Sequence, residues 1–355
     1  MKFANYDLVL ITDAKQREYF LGFQSSAGYL MFNRISRSFV VDKRYFYAAK
    51  KALEPRGFYV RCGNDFSQLV EAVDLKEVST LGIDFSVTTV DTYMRLRKLL
   101  PNTEIIDVGE ELREQMSIKS NEEIGAIAKA CKIAEKSFNE VLKHLKEGVT
   151  EKQIAAELEY LFKKNGASDK SFDTIIAFGA NSAVPHHETG NKKLTKNMPV
   201  LMDFGCIYRG YCSDMTRTLW FGDTPSEKFL SAYEAVYDAH MNASENIVQG
   251  MNGGEADALA REILNNRGYG EYFTHSLGHG IGVNIHEEPR LAPKQECVLV
   301  NGMVFSNEPG VYFDGKFGIR IEDSVYMQDG KVHSLMQDDK KLIIVHNGKA
   351  KKFKK

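Results

Sequence analysis

The chain can be read outward from Leu201-Met202-Asp203-Phe204-Gly205-Cys206-Ile207-Tyr208-Arg209-Gly210-Tyr211-Cys212-Ser213-Asp214-Met215-Thr216-Arg217-Thr218. Apolar and β-branched residues fill both arms of this stretch and Gly210 sits near its middle, the pattern of a β-hairpin. A bend centred between Tyr208 and Arg209 sets Asp203 directly opposite Asp214. Directly opposed residues share a sheet face with their Cβ atoms close together. Two carboxylates so placed repel each other unless a cation lies between them. The hairpin therefore predicts a metal site.

On either side of it the same order of elements occurs twice. Ser120 and Glu123 form a capping box, followed by Ile124, Ile127, Ala128, Cys131, Ala134, Phe138, Val141, Leu142 and Leu145 at helical spacing. Gly148 ends that helix. Thr150 with Gln153 caps a second, which carries Ile154, Leu158, Leu161 and Phe162 to a stop at Gly166. Strand-like segments then lead into the hairpin. In the second round Thr224-Pro225-Ser226-Glu227 caps a helix through Phe229, Tyr233, Val236, Tyr237 and Met241. A further helix over 256–266 and more strand-like segments lead to a second hairpin across 305–326. With its bend on Gly315, that hairpin sets Glu308 against Glu322. Ser120 to Asp203 is 83 residues and Thr224 to Glu308 is 84. The region reads as an α+β domain with an internal pseudo-twofold repeat, its two hairpins pointing four carboxylates at one centre.

Ahead of it, segments 6–12, 28–32, 38–42, 58–61, 80–84 and 104–108 read as strands, and 44–53, 66–73 and 90–100 as helices. That is an α/β domain, with a boundary near Met116-Ser117-Ile118-Lys119. Its glycines stand singly, so it holds no phosphate-cradling loop. The expected division is 1–117, 118–348 and a basic tail over 349–355 that reads as a solvated, frayed end. A length of 355 residues suits two domains. With 43% hydrophobic and 26% charged residues the chain has the make-up of a soluble globular protein. A net charge of −2 gives no electrostatic case for nucleic acid or an anionic membrane. No apolar run is long enough to span a bilayer, and the first residues show no signal-peptide pattern. Cys62, Cys131, Cys206, Cys212 and Cys297 are odd in number and scattered, which suggests reduced thiols in a cytoplasmic protein rather than a disulfide framework.

The acidic hairpins need at least one nitrogen or water ligand. His275-Ser276-Leu277-Gly278-His279-Gly280-Ile281-Gly282-Val283-Asn284-Ile285-His286-Glu287-Glu288-Pro289-Arg290 supplies three histidines. His275 and His279 have the spacing of two zinc ligands on a helix, but Gly278, Gly280 and Gly282 argue against a helix there. His279 is the candidate ligand and His286 a substrate-facing group on the same wall. His275 reads equally well as a packed core histidine or a functional one. A carboxylate-rich shell with one imidazole suits Mn²⁺, Co²⁺ or Zn²⁺. Two such ions, typically about 3.5–4 Å apart, serve hydrolysis by activating a water and polarising a carbonyl. One carboxylate can take and return the proton. Thr216 and Arg320 lie two residues from Asp214 and Glu322, on the same strand faces, and suit orienting those carboxylates by hydrogen bonds. Arg290 is a candidate receiver for a substrate carboxylate.

These residues resemble a known family. Asp203-Phe204-Gly205 with Gly210 to Thr218, His275 to Arg290, Asn307-Glu308-Pro309-Gly310 and Gly318-Ile319-Arg320-Ile321-Glu322-Asp323 are together similar to the pita-bread metallopeptidases, in their Xaa-Pro aminopeptidase and Xaa-Pro dipeptidase (prolidase) branch. Tyr19-Phe20-Leu21-Gly22-Phe23 and Val41-Asp42-Lys43-Arg44-Tyr45 match loosely the N-terminal domain of prolidases and creatinase. The resemblance implies a creatinase/prolidase-like α/β domain followed by a pita-bread catalytic domain. It further implies a metal-bridging hydroxide that cleaves Xaa-Pro bonds of proline-containing peptides, and a homodimer. By that resemblance Asp203, Asp214, His279, Glu308 and Glu322 hold two divalent ions, Asp214 and Glu322 bridge them, and Glu308 doubles as proton shuttle. His286 binds substrate and steadies the tetrahedral intermediate. His186, in Val184-Pro185-His186-His187, matches the substrate-binding histidine, with His187 one residue away as the alternative. Methionine aminopeptidase specificity, a non-catalytic module and a metal-free creatinase-like hydrolase are the competing readings. The first is disfavoured by the N-terminal domain and the last two by the complete ligand set. Dipeptidase and aminopeptidase are not separated by the motifs.

Overall fold

A computed structural model describes residues 3, 5–63 and 78–353. The chain divides into two compact units, Met1–Met116 and Ser117–Lys355.

In the first unit, six strands form one sheet in the order Tyr59–Cys62, Arg37–Val41, Tyr29–Asn33, Leu8–Ile11, Thr80–Ile83, Glu104–Asp107. Only Tyr29–Asn33 runs against the others. Alternation along Leu8–Ile11 sends Val9 and Ile11 into one apolar cluster and Leu8 and Leu10 into another. Both faces are therefore covered, as a largely parallel sheet requires. Helices Lys43–Leu53 and Val90–Leu99 contribute Leu53 to one cluster and Leu96 to the other. Two helices were not expected from the sequence. Gly109–Ser117 is one. The other, Ala14–Leu21, is capped by the Asp13 side chain and closed by Gly22 at φ 56°. Its sequence has no apolar stripe, so only these end signals mark it. The helix expected over 66–73 lies outside the described residues.

The second unit contains the repeat. Ser120 and Glu123 form the expected capping box on Asn121–Val141, and Thr150 and Gln153 that on Glu151–Lys164. Glu227–Asn246 and Gly253–Asn266 are the second helix pair. The last begins earlier than periodicity suggested because Asn252 and Glu255 form a third capping box. Each pair packs over its own core. Met202, Phe204, Met215 and Leu219 join the cluster of the first pair, while Val325 and Met327 join that of the second. Both sets of strands belong to one ten-stranded sheet.

The two hairpins fold differently from each other. In the second, Gly310–Phe313 pairs with Phe317–Arg320, and Val304–Asn307 with Glu322–Gln328, in one register about Gly315. Glu308 and Glu322 are then at facing positions, as the sequence suggested. In the first, Tyr208 pairs with Tyr211, so the loop is Arg209-Gly210, at φ 51° and 86°. Positive φ at both positions is the geometry that two-residue hairpin loops favour, with glycine best suited to the second position. The bend thus falls one residue later than the sequence reading had it. Asp203 pairs with Thr216 rather than Asp214. Asp214 stays on the same face, as the diagonal neighbour, since strand alternation has a period of two. Gly205 lies where a Cβ would overlap the Ser213 carbonyl, which allows the two arms to close just before Asp214.

The tail also differs from expectation. Lys349–Lys352 is not frayed but pairs antiparallel with Ile343–His346. Asn347 and Gly348, both at positive φ, make the connecting turn. That Asn-Gly pair is a hairpin signal, and the charge run beside it drew the reading away. The lysine side chains are exposed, as suits an edge strand.

Candidate metal centre

The two hairpins meet at the centre of the sheet. Met215–Phe221 is paired with Met198–Phe204 on one side and with Glu322–Gln328 on the other, so Thr216 faces both Asp203 and Glu322. This crossing places four acidic side chains from distant parts of the chain on one surface. Asp203, Asp214 and Glu322 are all buried.

His279 enters from Gly278–Gly280, a strand and not a helix, paired with Glu287–Leu291 and touching Val304–Asn307 at Phe305. The ligand atoms of Asp214, His279 and Glu322 lie within 4.8 Å of one another. His279 Nε2 is 3.5 Å from Asp214 Oδ2 and 3.3 Å from Glu308 Oε1. Asp203 Oδ1 is buried without a hydrogen-bond partner. A buried lone pair without a donor costs free energy unless a cation or water meets it. Burial, then the neighbouring carboxylates, pushes Asp214 and Glu322 well above the usual carboxylate range. Burial first, with Asp203 also raising it, pushes Glu308 up to about 7. Four carboxylates and one imidazole, with their charges this poorly compensated, fit hard or borderline divalent cations.

Arg320 supplies part of the compensation. Its Nη2 donates to Asp203 Oδ2 at 2.5 Å, its Nε to Thr216 Oγ1 at 3.0 Å and its Nη1 to the Tyr312 hydroxyl at 2.6 Å. Thr216 Oγ1 donates in turn to Glu322 Oε2 at 2.5 Å. One guanidinium thus orients a carboxylate of each hairpin, directly in the first and through Thr216 in the second. The Tyr312 hydroxyl, having accepted from Arg320, donates to His275 Nε2 at 2.9 Å, and His275 Nδ1 donates to the Ser276 carbonyl at 2.8 Å. Burial pushes His275 down to about 3, so the ring is neutral. His275 touches the site through Tyr312.

His286 lies with its ring centroid 4.2 Å from that of His279, edge to face. Burial first, then the nearby His279 and His186, push it down to about 4. His186 is exposed, and its field reaches His275, His286 and Glu308. His187 instead turns to the buried Glu151, with Nε2 3.1 Å from its Oε2. Arg290 is the strand partner of His279 and is exposed. Among the described residues its guanidinium has no hydrogen bond or ion pair.

Three contributors were missed in the sequence. Ser306 Oγ accepts from His279 N at 3.0 Å and donates to Glu308 Oε1 at 3.0 Å. Ser324 Oγ accepts from Asp214 N at 3.1 Å and donates to its carbonyl at 2.8 Å. Tyr312 is the third. Each lies at an even spacing from Glu308 or Glu322, so alternation carried to the neighbouring strand positions would have found them.

Comparison with known proteins agrees with this geometry. The description "Metallopeptidase family M24" matches residues 125–329, and "Creatinase/Prolidase N-terminal domain" matches residues 1–116. An Xaa-Pro dipeptidase of Pyrococcus furiosus is 41% identical over 271 residues, 76% of this chain and 77% of that protein. Among solved structures, an Xaa-Pro dipeptidase from Bacillus anthracis has a TM-score of 0.91 at 34% identity, covering 96% of both chains. An X-Pro aminopeptidase from Thermotoga maritima has a TM-score of 0.90 at 32% identity, covering 97% of this chain and 99% of that one. The fold is theirs, a creatinase-type domain followed by a pita-bread domain. A buried carboxylate–imidazole centre built by two crossed hairpins of that fold leads to one conclusion: the chain belongs to metallopeptidase family M24, whose members use divalent metal ions.

Proposed function

We propose that this chain is an exopeptidase that hydrolyses the Xaa-Pro bond at the N-terminus of peptides, with two divalent ions, Mn²⁺ or Co²⁺, held by Asp203, Asp214, His279, Glu308 and Glu322. The observation that carries this reading is the convergence of Asp214, His279 and Glu322 within 4.8 Å beside the unpartnered Asp203 oxygen. Likeness to proteins named Xaa-Pro dipeptidase and X-Pro aminopeptidase supports the specificity. When bound, such an ion pair supplies an activated water and a Lewis acid for the scissile carbonyl.

The chain's own residues do the rest. Glu308, steadied by Ser306, takes a proton at its carboxylate and returns it to the departing proline nitrogen. His286 donates to the oxyanion that develops on the attacked carbonyl, and His186 binds the substrate beside it. Arg320 and Thr216 hold Asp203 and Glu322 in place.

Arg290 favours a dipeptidase. A guanidinium beside His279, with no partner among the described residues, suits the free carboxylate of a substrate that ends at proline. Kinetics on an Xaa-Pro dipeptide and an Xaa-Pro tripeptide test this. The expected result is a preference for the dipeptide of about 10-fold or more, lost in Arg290→Met, since a hydrogen bond to a charged group contributes about 1.5–3 kcal/mol. Equal cleavage of both overturns the dipeptidase assignment. Full activity after metal stripping, or no cleavage of either peptide by the metal-loaded protein, overturns the broader reading. The same proposal includes a homodimer and a cytoplasmic location, the latter supported by five cysteines that form no disulfide.

A further inference from the structure

Behind the wall that carries His186 lies a buried carboxylate that the chemistry above does not use. Glu151 is the first residue of helix Glu151–Lys164, and it is fully buried. Its Oε1 accepts from the Phe178 backbone N–H and from Asn181 Nδ2, each at 2.8 Å. Its Oε2 accepts from the Gly190 backbone N–H at 3.0 Å and lies 3.1 Å from His187 Nε2. A carboxylate offers about four acceptor sites, and here all are taken by one segment, at both its ends and twice within it. The second hairpin holds the segment as well. Ser182 Oγ accepts from the Gly318 backbone N–H at 2.9 Å, and a Cβ at Gly318 would overlap the Ser182 carbonyl. Gly318 is two residues before Arg320. The segment over 178–190 is therefore clasped between a helix N-terminus, where a negative charge is favoured, and the second hairpin. His186 is carried on this loop and is exposed, and its charge acts on His275, His286 and Glu308.

We propose that Glu151 is a positioning residue of the active site: by clasping 178–190 through Phe178, Asn181, His187 and Gly190, it sets where His186 meets the substrate. The proposal rests on the assignment of His186 to substrate binding. Each carboxylate contact serves the loop rather than the metal ligands, so losing the charge leaves the metal centre intact and loosens one wall. In Glu151→Gln one end of the side chain becomes a donor, which then faces either the Asn181 and Phe178 N–H groups or those of His187 and Gly190. His187→Gln is milder, keeping both backbone anchors.

The test is a double-mutant cycle with His186→Ala, read as kcat and KM on an Xaa-Pro dipeptide with metal content measured in parallel. Supporting partners that orient a site residue cost about 10–100-fold when removed. Glu151→Gln is expected to lower kcat/KM by about 10-fold, mainly through KM, with metal content unchanged, and His187→Gln by less. In the His186→Ala background both effects should shrink to about 2-fold or less, because the residue they position is gone. Equal fold-losses in both backgrounds would mean that Glu151 merely supports the fold, and would overturn the proposal. A second readout does not depend on the substrate. Hydrogen exchange at Phe178 and Gly190 should speed up about 10-fold in Glu151→Gln while the strand Met215–Phe221 stays protected. If those amides exchange as in the unmodified protein, the clasp is refuted. If exchange changes as expected but His186→Ala leaves kcat/KM untouched, the reading of His186 fails and the positioning role fails with it, while the clasp stands.

Discussion

The two hairpins are copies of one design, and their differences are more informative than their likeness. Both arms that meet at the centre are paired about Met215 and Asp323. Across that point Thr216 answers Glu322 and Ser324 answers Asp214. The hydroxyls are used differently: Thr216 donates to the carboxylate of Glu322, whereas Ser324 bonds the backbone N–H and carbonyl of Asp214. Two residues before Glu322 stands Arg320, which reaches back to Asp203. Two before Asp214 stands Cys212, a buried thiol that donates to the Val283 carbonyl at 3.6 Å. The strand pairing at the centre is symmetric and the electrostatics are not. One hairpin brings the cation that orients both, and the other brings the orphan oxygen left for an ion.

Breaking the first hairpin's ligand should have the largest effect. With Asp214 shared between two ions, as the proposed function has it, Asp214→Asn should lower kcat/KM by about 1,000-fold or more, since an amide would not balance two cations, and bound metal should fall in elemental analysis. Near-normal turnover with two ions bound would refute the bridging role. The next effect is on stability. On the sheet face opposite the ligands, Arg217 of the first hairpin pairs with Asp323 of the second and with Asp338, and also donates to the Thr216 and Glu322 carbonyls. Arg217→Met should cost about 3 kcal/mol in urea unfolding, because the buried Asp323 keeps only Lys340 as a close cation and the half-buried Asp338 loses its guanidinium partner.

The hydroxyl pair sharpens the comparison further. Thr216→Val should cost about 10-fold in kcat/KM together with about 1–2 kcal/mol of stability, as it frees Glu322 and removes an acceptor from Arg320. Ser324→Ala should cost about as much stability with little loss of activity, since it strands two backbone groups of Asp214 and no carboxylate. The same activity loss in both would mean that the hydroxyls are equivalent after all. The smallest effect is pH-dependent. The unfolded His275 ring takes up a proton below about pH 6.5, but the folded ring does so only near pH 3. Unfolding therefore takes up a proton across this window, so stability is complete above pH 6.5 and falls on acidification. In His275→Gln the difference in unfolding free energy between pH 7 and pH 5 should be smaller than in the unmodified protein. An unchanged pH dependence would show that His275 is not the group responsible.

Much of this was legible in the chain. The capping boxes at Ser120 and Thr150, the alternation in the strands and the glycines around His279 are local, and local signals survive in sequence. Gly315 gave the second register correctly because its odd-length turn offers one obvious centre. The first register was misread by one step of the bend, as the choice between Tyr208-Arg209 and Arg209-Gly210 is settled by which residues tolerate positive φ. Helix Ala14–Leu21 lacks an apolar stripe, and the turn signal of Asn347-Gly348 stands beside a run of lysines that has the composition of a frayed end.

By itself, then, the sequence determined most of the elements, the repeat and the identity of the candidate ligands, because period, caps and chemical type are properties of neighbours along the chain. Only the tertiary structure decided that Arg320 binds Asp203 117 positions away, that Tyr312 links Arg320 to His275, and that His187 and not His186 turns inward to Glu151. Those are contacts between segments far apart in sequence. Their geometry follows from strand register and from the need to give every buried charge a partner, and both are settled only when the two halves pack together.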